Sequence, residues 1–281
     1  MKKHNVIIGA VVLAASSFTA NATLTSVGGV TWDPDAGAPL PDLSMDYFFY
    51  QAFTSAANAI TNATNNVPLL TTIDPSSIVV GNVLNGFGEV DSMNGNSADI
   101  NSLTGGPLCP DCELTLTFGG FAITSFLNGA PIFSDGWINF YVDDTPDFTP
   151  TDVGIVTPGN AADGDLWLAL DVIANVFTGG SAVQGNLALE FQAVGGLAQQ
   201  NFDTNTIQGL ISGGLVDQIS NNSAIFNNYL DLDGNGTSDY YANANGQIDG
   251  NTVQVSEPST LALAGLALLA VGGLRRHRFN K

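Results

Sequence analysis

Glu113-Leu-Thr-Leu-Thr-Phe118 decides the fold class. Leu114, Leu116 and Phe118 fall at every second position, with Thr115 and Thr117 between them. A period of two belongs to a strand with one face in a core and the other turned away from it. Gly119-Gly120 interrupts the run and residues 121–126 resume it. Residues 137–142 (WINFYV) are dense in aromatic and β-branched side chains and end on the acidic turn Asp143-Asp144. Alternation returns at 165–173 through Leu166, Leu168 and Leu170, and at 186–194 through Leu187, Leu189 and Phe191.

Towards the N-terminus, residues 28–35 (GGVTWDPD) read as a short strand entering a turn. Residues 78–84 read as a strand before the turn signals Gly86, Gly88 and Asn94-Gly95. Tyr47-Phe48-Phe49-Tyr50 suits a strand, whereas the alanines from Ala52 onward suit a short helix equally well, so 45–65 stays ambiguous. Residues 207–219 read as a short helix. Short strands at turn-punctuated intervals predict a mainly β chain, an antiparallel β-sandwich of jelly-roll type. No repeat and no long linker divides it.

Charge is distributed in an extreme way. The 281 residues carry a formal net charge of −20. Every basic residue lies near an end (Lys2, Lys3, Arg275, Arg276, Arg278, Lys281), as do His4 and His277. Residues 23–255 therefore hold no Lys, Arg or His, yet contain every acidic residue except Glu257. Such a body cannot neutralise phosphates, which excludes nucleic acid as a partner. It cannot build a Ser-His-Asp centre or a His-ligated zinc site. Its carboxylates have only backbone N–H groups, polar side chains, water or bound cations to face. Left unscreened they repel one another, and a divalent cation is the natural remedy.

Both ends read as targeting devices. Lys2 and Lys3 precede an apolar run at 6–15, and Ala20-Asn21-Ala22 places small residues where a signal peptidase reads them, so 1–22 is a signal peptide cut after Ala22. At the other end, Glu257-Pro258 precede the uncharged run 261–274 (LALAGLALLAVGGL), then Arg275, Arg276 and Arg278. Fourteen helical residues span about 21 Å against a hydrocarbon core of about 30 Å, short for a lasting transmembrane anchor. The arginines keep the extreme end cytoplasmic and put the body outside.

That order of parts over 256–281 resembles the PEP-CTERM sorting signal, a tail also labelled an ice-binding protein C-terminal domain. The resemblance implies recognition by an exosortase, removal of the tail, and passage from an inner-membrane-anchored precursor to the cell surface or extracellular matrix. Here Ser256 stands where the motif's first proline is usual. The succession of Trp32-Asp33-Pro34-Asp35, the glycine-rich stretch 81–95, Cys109-Pro-Asp-Cys112, Phe118-Gly-Gly-Phe121 and 137–143 is also similar to a group of uncharacterised PEP-CTERM proteins, which implies no activity.

Three further constellations carry chemistry. Asp231-Leu-Asp-Gly-Asn-Gly-Thr-Ser-Asp239 spaces hard oxygen donors as a calcium loop does: Asp231, Asp233 and Asn235, the carbonyl of Thr237, and Asp239. Ala242 replaces the usual twelfth-position glutamate, which likens the loop to those of dockerin-type and thrombospondin-type proteins. Asp249 is a candidate for the missing ligand, because Asn243-Ala-Asn245-Gly246 echoes the first loop. The bland alternative is a solvated turn. Cys109 and Cys112 predict a local disulfide in an oxidising compartment, with a redox CxxC as the alternative. Asp135, Asp143, Asp144, Asp147, Asp163, Asp165, Asp171 and Glu190 supply many carboxylate pairs, and a glycosidase needs two at the right separation.

The expectation is an exported, calcium-stabilised protein of the cell surface or matrix, structural or adhesive and not an enzyme, processed by signal peptidase and exosortase. A module binding exopolysaccharide, stacking sugars on Trp137, Tyr141 and Trp167, is the alternative. A carboxylate-based glycoside hydrolase comes third.

Overall fold

The computed structural model describes residues 24–34, 42–60, 71–94, 96–97, 106–150, 157–181, 184–225, 230–232, 234 and 239–255. Eight long strands dominate them: β1 (Leu43–Thr54), β2 (Val83–Met93), β3 (Glu113–Leu127), β4 (Trp137–Asp143), β5 (Asp165–Ser181), β6 (Gln184–Gly195), β7 (Gln218–Ile225) and β8 (Ala242–Gly250). Each pairs antiparallel with the next, and β8 returns to β1 from Gly250↔Leu43 to Ala242↔Gln51. The result is one closed up-and-down barrel. A jelly roll requires two sheets joined by Greek-key crossings, and no such crossing occurs among these strands, so the expected sandwich gives way to a barrel. Alternation announces one buried face per strand and is silent on whether the sheet closes on itself.

The inward faces follow the two-residue period. Leu43, Met45, Tyr47, Phe49 and Phe53 of β1 meet Leu114, Leu116 and Phe118 of β3, and Leu187, Leu189 and Phe191 of β6, in one continuous core. Gly120 sits at φ +82° within β3, so the predicted break at Gly119-Gly120 is a local distortion inside one strand. The ambiguous stretch is strand through Thr54, then a single 3-10 turn at Ala56–Asn58. The strand expected at 78–84 begins only at Val83, after a turn at Gly81 with φ +92°. The helix expected at 207–219 is a small hairpin, Ile207–Gln208 with Leu215–Val216, leading into β7.

One end of the barrel, the terminal pole, carries the start of β1 and the end of β8. It is closed by an aromatic plug in which Trp32, Trp167 and Phe202 lie with ring centroids 5.3 to 5.7 Å apart. Trp32 arrives on the hairpin Thr25–Val27/Val30–Trp32, turned by Gly28 and Gly29 at φ +60° and +92°. Phe202 arrives on the short helix Gln199–Phe202. The disulfide Cys109–Cys112, with Cα atoms 5.0 Å apart, is packed against the same core. Outside the barrel wall, Tyr50, Ala52 and Phe87 build a second apolar cluster with Phe148, Ala161, Leu232 and Tyr241 from the connections that cross over them. This explains why Tyr47-Phe48-Phe49-Tyr50 is apolar on both faces. Among the described residues no helix is long and apolar enough to cross a membrane. The predicted transmembrane run 261–274 lies outside them.

Candidate functional site

Among the described residues, the closest gathering of carboxylates lies on the outer wall beside that second cluster. Glu113 opens β3 and Asp143 ends β4, and the antiparallel register sets the two opposite one another. The connection towards β5 then folds back and brings Asp147 to them. One oxygen from each of Glu113, Asp143 and Asp147 lies within 4.8 Å of the others. Glu113 is 2 % exposed and Asp143 8 %.

The donors around them are few. Glu113 accepts from the amides of Asp147 (3.3 Å) and Phe148 (3.1 Å). Asp143 Oδ1 accepts the Thr145 amide and hydroxyl, both at 2.9 Å. Asp147 Oδ2 accepts from Asn160 Nδ2 at 3.0 Å, while its Oδ1 is buried without a hydrogen-bond partner. Burial pushes Glu113 up to about 8, the two amides oppose it, and the charges of Asp147 and Asp143 raise it further. Asp163 is pushed up to about 6, first by burial and then by the same two aspartates. Asp143, Asp144, Asp163 and Asp165 also line an open cleft of about 280 Å³ against Gly28 and Leu197. Deprotonated, the three converging carboxylates form a hard-oxygen donor set of the kind calcium accepts. Protonated, Glu113 relieves the repulsion without metal.

Glu113 was not among the carboxylates singled out from the sequence. Its signal was there in the alternation, which puts it on the face of Thr115 and Thr117. Its partners were hidden, because pairing with Asp143 is a matter of register and Asp147 arrives on a connection.

The predicted calcium loop is only partly described. Asp231 and Asp239 are placed, and Asp233, Asn235 and Thr237 lie outside the described residues. Leu230 and Tyr241 form an antiparallel bridge at the base of the loop. Asp239 Oδ2 accepts the Leu232 amide at 3.0 Å, and its own amide donates to the Leu230 carbonyl at 2.8 Å. Asp249 is no part of this loop. It lies seven residues along β8 from Ala242, about 23 Å at strand rise, and faces Ser44 and Ile219 across the strands. Residues 243–246, read as an echo of the loop, belong to the strand that closes the barrel.

The other predicted residues scatter. Trp167 is fully buried in the plug, its Nε1 donating to the Val27 carbonyl at 3.0 Å. Tyr141 is 6 % exposed. Trp137 packs over Gly119 and Gly120 at the other end of β4. These three rings form no common platform. Glu190 lies on β6, its two oxygens taken by the Ile211 and Ser212 amides at 2.6 and 2.9 Å. Asp171 pairs with Trp137 towards the far end of the barrel, away from the Glu113 cluster. Ala20, Ala22, Glu257, Pro258, Arg275, Arg276 and Arg278 lie outside the described residues.

Compared with known families, residues 254–276 match the model of the PEP-CTERM protein-sorting motif, so the chain carries that motif, and with it the mark of an exported, exosortase-sorted protein. No curated protein and no solved structure matches the chain.

Proposed function

We propose that this chain, exported and sorted through its PEP-CTERM motif, is a structural or adhesive protein of the cell surface whose acidic barrel is held together by calcium. The observation that carries the cation is the convergence of Glu113, Asp143 and Asp147 within 4.8 Å, in a body that contains no Lys, Arg or His. A like-charged buried group of this kind either keeps a proton or takes a cation. Outside the cell, where calcium is abundant, the second course lets all three carboxylates ionise together. Asp231 and Asp239 mark a second place for the same ion.

The test is the melting temperature of the full-length protein in EDTA and across a calcium series, with Glu113→Gln and Asp231→Ala beside it. A site filled to about 100 times its Kd adds roughly 2.7 kcal/mol. The expected result is a saturable upward shift in wild type, reduced in Glu113→Gln and in Asp231→Ala, each variant losing the share of its own site. If all three respond alike, calcium merely screens the acidic surface and the proposal fails.

A further inference from the structure

The sorting motif does not begin on a loose end. Its first two residues, Gln254 and Val255, form one wall of a groove of about 440 Å³ at the terminal pole, faced by residues 24–28 and by Leu197, Gln200 and Asn201. The chain is clamped immediately before it. The Val253 amide donates to the Asn201 carbonyl at 2.9 Å, and Asn201 Nδ2 returns a bond to the Val253 carbonyl at 2.9 Å. Trp32 Nε1 holds Thr252 Oγ1 at 3.1 Å, and Asn201, Thr252 and Trp32 are all buried. Aliphatic side chains line the groove as a rim: Leu24, Leu197 and Val255 are 60, 54 and 37 % exposed.

The length of the leash decides what meets this rim. Glu257 and Pro258 follow the clamped Val253 within five residues, no more than about 18 Å of extended chain. An enzyme that draws this pair into its catalytic cleft must bring its own surface up to the pole. We propose that the groove and its aliphatic rim are a docking face for the sorting peptidase, a protein partner presenting apolar side chains, so that the body is read together with the motif. This rests on the sorting reading above. The rim carries no basic group to attract anionic lipid headgroups, and the carboxylates of Asp144, Asp163 and Asp165 line the neighbouring cleft beside Leu197. A protein surface is therefore favoured over the bilayer.

The experiment follows tail removal from the full-length precursor in a host that supplies an exosortase, using pulse-labelling and the accompanying size change. Leu197→Asp should slow removal by about tenfold, the factor carried by one well-buried interface side chain. Val79→Asp, the same change at a residue 58 % exposed at the other end of the barrel, should leave it unchanged. Inserting a flexible Gly/Ser stretch of about 12 residues between Val255 and Ser256 frees the motif from the pole, and in that background Leu197→Asp should lose its effect. This rescue separates docking from misfolding, which a longer leash would not repair. Equal processing of wild type and Leu197→Asp overturns the proposal, as does a defect that the insertion fails to rescue. A Leu197→Asp precursor that binds peptidase-free phosphatidylglycerol vesicles more weakly, yet is cut at the wild-type rate, assigns the rim to lipid and also overturns it. A wild-type precursor left uncut, where a reference PEP-CTERM passenger is cut, sinks the sorting reading itself and is told apart by that control.

Discussion

Glu113 and Glu190 are both 2 % exposed on the outer wall of the same barrel, yet their acidities move in opposite directions. Burial acts against ionisation at both. Around Glu190 it is outweighed, because the hairpin between β6 and β7 folds down over it and aims the Ile211 and Ser212 amides at its oxygens, at 2.6 and 2.9 Å. Glu190 is held below the ordinary carboxylate range. Glu113 also meets two amides, at 3.1 Å and beyond, but its other neighbours are carboxylates and it rises to about 8. Burial therefore does not by itself set the charge of a carboxylate: at Glu113 it prevails over the two amides and the neighbouring charges add to it, whereas at Glu190 the donors outweigh it. In a chain whose body has no Lys or Arg, amides can settle one acid at a time. Where three acids converge, a proton or a cation must complete the balance.

The largest test breaks the Glu190 side of the contrast. Glu190→Ala leaves the Ile211 and Ser212 amides without their acceptor, and bonds to a charged partner carry about 1.5–3 kcal/mol. We expect a loss of about 3 kcal/mol in urea unfolding, together with faster hydrogen exchange across residues 207–216. An unchanged midpoint would mean that water replaces the carboxylate without cost. Glu113→Gln should act in the other direction. In EDTA at pH 8 it removes a buried charge from beside two others, and stability should rise by about 2 kcal/mol, while the calcium response shrinks.

The pH dependence carries the same contrast with opposite signs. Glu113 binds its proton more tightly folded than unfolded, so in EDTA its contribution to stability is fully present below about 4.5 and is lost as pH rises through about 8. Asp163 adds a like slope up to about 6. Glu190 binds its proton less tightly when folded, so its contribution is present above the ordinary glutamate range and is lost as pH falls through its lowered value. Thermal melts between pH 5 and 8 in EDTA should therefore fall with rising pH in wild type, and in Glu113→Gln flatten above about pH 6, where Asp163 has finished titrating. Saturating calcium should flatten the wild-type slope too, because the ion favours the ionised form. A wild-type slope that survives above about pH 6 in Glu113→Gln would place the titrating group elsewhere.

How much of this was legible beforehand follows from where the apolar residues fall. The strands carrying Leu114–Leu116–Phe118 and Leu187–Leu189–Phe191 announce themselves because they bury one apolar face. β7 does not, since its inward residues are Gln218, Ser220 and Asn222, held by polar partners such as Tyr47, whose hydroxyl donates to Asn222 Oδ1 at 2.8 Å. β8 does not either: Gly246 is small because a Cβ there would meet Asn222 and the Tyr47 ring, and the stretch reads as a metal-loop echo. These two unannounced strands close the barrel, which is why a sandwich was the natural expectation. The acidic cluster was half legible. The absence of basic residues foretold carboxylates in need of company, whereas only register and a returning connection name which ones. The tail, by contrast, is a linear signal and was readable without any fold.

The finest test asks which atoms of the hairpin settle Glu190. A Cβ at Gly209 would stand 2.6 Å from Glu190 Oε2 and from Ser212 Oγ, so Gly209→Ala must push the Glu190 carboxylate or the Ser212 hydroxyl aside and disturb the bonds the carboxylate accepts. A cost of about 1–2 kcal/mol is expected, roughly half that of deleting the carboxylate. Ser212→Ala removes only the hydroxyl that assists the Ser212 amide in holding Glu190 low, and the two amides stay in place. The expected loss is about 0.5–1 kcal/mol, with a small rise in the Glu190 pKa measured by carboxyl-carbon NMR. If Ser212→Ala costs as much as Gly209→Ala, the hydroxyl rather than the amides carries the stabilisation. The contrast with Glu113 would then rest on one side chain instead of on how the backbone covers each acid.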